Sequence, residues 1–169
     1  MQKKWLFFAY LTATASIVHV VESWIFRAVP IPFLRLGLSN IVLLYLVWQK
    51  EILAAFAVCI LKAIIGGLAT FTLLSPTILL SVGGGIAAVS AMSLGLLMRP
   101  RFSAIGISIL GAVAHNIAQL WIAKYALIRS DSVFVLTPIL ILFGLISGML
   151  TSGIYLYLMG KIPGLKAIK

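Results

Sequence analysis

From Ile52 to Met98 the sequence runs for 47 residues with one charged side chain, Lys62. As a single helix this run would be about 70 Å long, more than twice a bilayer core of about 30 Å. The chain must therefore turn back once inside it. "FTLLSPT" is the place to do so, because a residue preceding proline is pushed out of helical geometry, here Ser75 before Pro76. Composition points the same way. The chain of 169 residues is 63% hydrophobic and 9% charged, with a mean hydropathy of +1.20. Soluble domains carry about 25% charged residues, and a soluble fold of this size has too much exterior to hide so much apolar surface.

The expected fold is an all-α integral membrane protein, one transmembrane domain over residues 1–169 with six spans. They fall at about 5–26, 36–49, 51–69, 77–98, 102–127 and 133–160, the second being short. The N-terminal "MQKKWLFFAYLTATASIVHVV" has the look of a signal peptide. Its apolar run ends in His19 and Glu22 rather than at a small-residue cleavage site, so it reads as a retained first helix.

A net charge of +10 invites a nucleic-acid reading, but the basic residues mark the ends of apolar runs instead of forming a patch. With the N-terminus inside, Lys3, Lys4, Lys50, Arg99, Arg101, Lys161, Lys166 and Lys169 lie on the inner side. Arg27, Arg35, Lys124 and Arg129 lie outside. Eight against four places both termini in the cytoplasm. A lone Cys59 leaves no internal disulfide.

On this topology the polar residues within the membrane gather toward one depth. His19 and Glu22 are near the outer end of the first helix, Lys62 is near the middle of the third, and the fifth carries "GAVAHNIAQLWIAK". There His115 and Gln119 stand about 40° apart on the helix, with Asn116 at about 100° from His115. Buried charge in a bilayer is costly and marks a functional site unless it is paired. Lys62 shares its face with Ala55, Cys59, Gly66 and Ala69, a narrow face that neighbours can approach closely. Lys62, Arg27 and Arg35 against Glu22 make a cavity suited to a carboxylate or a phosphate.

Plainer roles stand beside these. Asn116 and Gln119 serve equally well as hydrogen-bond glue between helices, and His19 as a packed residue bonded to a helix carbonyl. Lys62 and Glu22 make a structural pair on the same reasoning. Arg27, Lys124 and Arg129 fit interfacial anchoring, and Arg35 stands between anchor and ligand contact. On the first helix Ala9, Thr12, Ala13, Ser16 and Ser23 share a sector. The small pair Ala9 and Ala13 suits close helix packing, within the bundle or against another protein. "GGG" at Gly83 to Gly85 permits close packing or a bend, and lacks the lysine and strand of a phosphate loop.

Catalysis finds little material. Three acids, Glu22, Glu51 and Asp131, are far apart, so neither an acid–base pair nor a Mg²⁺ site assembles readily. No spacing pairs a nucleophile with an oriented base, and no metal site or nucleotide motif is expected.

"FLRLGLSNIVLL", "LKAIIGGLATFTLLSPTILLSVGGG" and "IGISILGAVAHNIAQL" resemble a small bacterial membrane family, heptaprenyl diphosphate synthase component I, also called Gx transporters. The resemblance covers about Pro30 to Gln119. That family in turn resembles the substrate-binding S components of energy-coupling factor (ECF) transporters. It implies a six-helix bundle of the S-component type in the bacterial inner membrane, with cytoplasmic termini and an outward ligand cavity. Arg35, Asn40, Lys62, His115, Asn116 and Gln119 fall in the shared motifs and become the implied ligand site, where the family usually has Lys at position 35 and often Arg at position 62. Glu22 joins them on physical grounds alone. Ala9 and Ala13 fit the A-x-x-x-A surface by which such proteins dock on a membrane T component coupled to two ATPases. ATP would then be used by those partners, with no cofactor in this chain.

The family label names a prenyl diphosphate synthase, whose aspartate-rich metal motifs this sequence lacks. The leading expectation is thus a non-enzymatic S component capturing a small anionic or amphipathic solute, vitamin-like or isoprenoid-related. The alternative is a membrane subunit associated with a polyprenyl (heptaprenyl) diphosphate synthase, its basic pocket binding lipid diphosphate. A stand-alone carrier is the third.

Overall fold

The computed structural model describes residues 2–26, 37–98 and 101–161. Helix α1 covers Gln2–Phe26, α2 Asn40–Trp48, α3 Ile52–Ala69, α4 Thr77–Leu97, α5 Ala104–Ile122 and α6 Thr137–Lys161. A π-helical stretch, Ala123–Ile128, prolongs α5, and a 3-10 turn, Asp131–Leu136, leads into α6. Arg27, Arg35, Arg99, Lys166, Lys169 and Leu36, the first expected residue of the second span, lie outside the described residues.

Five segments are long and apolar enough to cross a bilayer: Lys4–Phe26, Ile52–Ala69, Thr77–Leu97, Ala104–Ile128 and Asp131–Lys161. Helix α2 differs. Its nine residues rise only about 14 Å, under half a hydrocarbon core. The reason lies in its sequence, NIVLLYLVW, which is apolar on every face. Val42 to Val47 are all buried, and α2 stands inside the bundle touching α1, α3, α4, α5 and α6. Around it α1 packs on α3, α3 on α4, α4 on α5 and α5 on α6.

Polarity in this bundle is inverted relative to a soluble protein. Trp5, Leu6, Tyr10, Trp24, Leu53, Leu68, Leu97 and Leu142 are exposed, while Thr12, Ser16, His19, Glu22, Lys62, Ser108, Asn116, Gln119 and Thr151 are buried. Water rejects such a surface and hydrocarbon accepts it. This is a multi-pass membrane protein.

Two turns are closed by the same device. After α2, the amide of Lys50 bonds the carbonyl of Val47 and that of Glu51 bonds Leu46; after α3, Phe71 bonds Leu68 and Thr72 bonds Gly67. Each is a Schellman cap, with Lys50 (φ 64°) and Phe71 (φ 55°) in the left-handed region usually held by glycine. Ser75 then receives the Thr77 amide on its hydroxyl, and α4 begins at Thr77. At the opposite end of the bundle Lys4 on α1 pairs with Glu51 in the α2–α3 turn, at 2.7 Å.

Small residues set the helix spacings. A Cβ added at Gly85 of α4 would meet Cys59 Sγ of α3 at 2.3 Å, and one at Gly148 of α6 would meet the Ile109 backbone of α5 at 2.5 Å. These contacts draw α3, α4, α5 and α6 close enough for their polar side chains to be sealed between them.

Candidate functional site

Helix α3 carries Lys62 inward on the face that also buries Ala55, Cys59 and Gly66. Its stem crosses toward the head of α2, where Nζ donates to Ser39 Oγ at 2.9 Å and to Asn40 Oδ1 at 2.7 Å. Glu22 of α1 reaches the same place from the other side. Its carboxylate accepts the amides of Leu38 at 3.0 Å and Ser39 at 3.3 Å. Both ionisable residues are 4% exposed. Ser39 therefore connects a buried cation to a buried carboxylate, through its hydroxyl on one side and its backbone on the other. Such groups remain charged in a low-dielectric interior only when hydrogen bonds replace water.

Just before this point Gly37 turns the chain at φ 66°, a conformation that other residues adopt at a cost, and a Cβ there would lie 3.0 Å from Asn40 Nδ2. The turn thus aims Ser39 and Asn40 at Lys62. Arg35, the other basic residue of this motif, lies outside the described residues, and among the described ones Lys62 and Glu22 balance in charge.

Helix registers set the depth of the remaining residues. Cys59 faces Gly85, and Gly67 faces Ile78, so Lys62 is level with the stretch Ile78–Gly85 of α4. His115 faces Gly84, and Ile122 faces Gly83, so Gln119 is level with the same stretch. One layer of the bundle therefore holds polar groups from α3, α4 and α5. Within it Asn116 turns to α6 and donates through Nδ2 to the Leu140 carbonyl at 2.7 Å. The His115 ring lies against Gly84, where an added Cβ would meet it at 2.8 Å. Gln119 is 2% exposed, and its Oε1 accepts no hydrogen bond among the described residues. Lys62, Asn40 and Glu22 thus form one bonded group, while Asn116 serves the α5–α6 contact.

Next to this layer a cavity of about 170 Å³ and mixed polarity opens between α1, α3 and α4, with His19, Ser23, Thr70, Thr72, Thr77 and Ser81 among its lining residues. Sequence reasoning set His19 aside as packed against a carbonyl, and it left the threonines unread. In the structure its Nε2 lies 3.4 Å from Ser81 Oγ, and Gly66 makes room for the ring. The available signal was His19 and Ser23 one turn apart on α1, facing a threonine-rich turn. The bundle centre holds a smaller void of about 10 Å³ between Asn40, Met92, Ser108, Ser147 and Thr151, about the size of one water.

Residues 11–158 match the model of the family described as heptaprenyl diphosphate synthase component I. The chain belongs to that family. No curated protein and no solved structure matches it. The matched stretch contains every residue of the polar layer, and Ala13 but not Ala9.

The three acids of the chain are held at three separate places. Glu51 pairs with Lys4, Asp131 with Lys124, and Glu22 with the amides ahead of α2. Among the described residues no three of His, Cys, Asp or Glu stand together. The polar layer holds a buried ammonium bonded to Ser39 and Asn40, with the Gln119 amide oxygen at the same depth. The first-helix stripe divides, with Thr12 and Ser16 buried, Ser23 half-buried, and Ala9 and Ala13 exposed.

Proposed function

We propose that this chain is the non-catalytic membrane subunit of a polyprenyl diphosphate synthase, binding an isoprenoid diphosphate for a soluble catalytic partner. Family membership supports the reading, since the family's name describes one component of such a synthase. The observation that carries it is Lys62, an ammonium buried at mid-helix and presented by Ser39 and Asn40. Lys62 and Arg35 hold the diphosphate in this reading, with Asn40 and Glu22 fixing Lys62. Gln119 and His115 orient the ligand, and Asn116 holds α6 in place. The segment containing α2 counts as the sixth span in this reading, both termini face the cytoplasm, and the membrane is the bacterial inner one.

The test is purification of the tagged chain from native membranes after mild cross-linking. A prenyl synthase subunit in the eluate is the expected result, together with binding of farnesyl diphosphate that is lost in Lys62→Gln. A membrane T component with two ATPases, and no synthase, overturns it.

That second outcome corresponds to the transport reading, in which the chain is an ECF S component. One observation favours it: Ala9 and Ala13 lie exposed on α1, one turn apart, and leave a smooth strip for another helix. Replacing both with leucine separates the readings, because it would strip T-component binding and leave a synthase partner in place.

A further inference from the structure

Resting on the isoprenoid-diphosphate reading above, we propose that the groove between α1 and α6, floored by α2, is the subsite for the hydrocarbon tail. This groove encloses about 310 Å³ and is apolar along its length. Tyr10, Thr14 and Val18 form its α1 wall, and Leu158 belongs to the α6 wall. Thr14 spends its hydroxyl on the Tyr10 carbonyl at 2.9 Å, which leaves its methyl for the groove. From Tyr10 to Val18 the wall is about 12 Å long.

One end of the groove is Ser39. The hydroxyl of this residue accepts from Lys62 Nζ. An apolar channel and a buried cation therefore meet at one side chain, and they do so in a protein whose surface faces hydrocarbon. The occupant that satisfies both is a single apolar chain ending in an anion. A phospholipid keeps its phosphate at the interface, whereas Lys62 lies seven residues, about 10 Å, short of the end of α3 at Ala69. A prenyl diphosphate carries one chain and no glycerol anchor, so its head can descend to this depth. Tyr10, 70% exposed, stands at the open side, so the tail enters sideways from the bilayer and a longer chain continues into it.

The test uses the full chain in phosphatidylcholine nanodiscs, with isopentenyl and farnesyl diphosphate as probes. The wild type should bind farnesyl diphosphate at least tenfold more tightly than isopentenyl diphosphate. Thr14→Trp fills the groove and should cut farnesyl affinity fivefold or more, leaving isopentenyl affinity unchanged. Leu158→Trp fills it from α6 and repeats the measurement without altering α1. Ile17→Trp, on the exposed face of α1, should change neither. Equal affinity for the two probes, or unaltered farnesyl binding in both groove variants, overturns the tail subsite. The headgroup reading then still stands if Lys62→Gln abolishes binding. Native mass spectra showing a phospholipid that farnesyl diphosphate does not displace also overturn it. If neither diphosphate binds the wild type, the proposed function fails and the groove assignment with it.

Discussion

Nζ of Lys62 on α3 lies 2.7 Å from Oδ1 of Asn40, the first residue of α2. The short central helix is thus tied by its head to the one charged residue in the middle of the longest apolar run. A hydrogen bond to a charged group contributes about 1.5–3 kcal/mol, and more is lost if the charge stays buried without it. Asn40→Leu should lower thermal stability in detergent by about 2–3 kcal/mol. Asn40→Asp, which keeps an acceptor, should retain most of it. Equal melting of Asn40→Leu and wild type would remove this contact from the stability of the fold.

Glu22 anchors the segment ahead of α2 through the Leu38 and Ser39 amides. In Glu22→Gln one oxygen becomes an NH₂ that cannot accept, and the remaining bond loses its charge assistance, at a cost of about 1–3 kcal/mol. Amide hydrogen exchange at Leu38 and Ser39 should accelerate about tenfold or more, by the tenfold per 1.4 kcal/mol relation. Unchanged protection there would contradict the assignment.

Gly66 and Gly153 make a matched pair. A methyl at Gly66 would stand 2.4 Å from His19 Cδ2, whereas one at Gly153 meets nothing within 4 Å. Gly66→Ala should therefore destabilise by about 1–3 kcal/mol through overpacking. Gly153→Ala should be neutral or stabilising by up to about 1 kcal/mol. Melting curves of the two variants side by side decide the matter, and the reverse order would refute the α1–α3 contact.

Lys50 and Phe71 occupy left-handed positions that cost a non-glycine residue about 1–2 kcal/mol. Lys50→Gly should raise the melting temperature. Phe71→Gly should do so as well, since that side chain is 96% exposed and removing it leaves no cavity. A fall in either would show that the side chain makes a contact worth more than the strain.

Gln119 offers a separation of stability from function. Its buried Oε1 accepts no hydrogen bond among the described residues, so Gln119→Leu removes an unmet desolvation cost of about 1–3 kcal/mol. The variant should melt no lower than the wild type while binding farnesyl diphosphate at least fivefold more weakly. A lower melting point with unaltered binding would make Gln119 structural.

Much of this was legible in the chain itself. Apolar runs too long for one crossing, broken at Ser75-Pro76, dictate helices that end at Ala69 and resume at Thr77. Hydrocarbon leaves a backbone no alternative to internal hydrogen bonding, so run length and breakers translate directly into elements. The weight on Lys62 was legible for the same reason, because a charge amid 46 uncharged residues is expensive wherever it lies. Its connection to Asn40 was not. Nor was the division of the α5 residues, with Asn116 bonded to α6 and His115 set against α4, since a helical wheel gives direction but not neighbour.

What the sequence by itself determined, then, is material and period: membrane-crossing helices, their breaks, and the few side chains that hydrocarbon would reject. The tertiary structure decided the partners. It placed a nine-residue α2 at the centre of the bundle, and it joined Lys62 to Glu22 through Ser39. It also opened a cavity that brings His19 and Ser23 of α1 to the threonines of the α3–α4 turn. The physical reason is that the cost of burying a group is a property of the group, whereas what offsets that cost comes from helices remote in sequence. Only their packing brings the two within hydrogen-bonding distance.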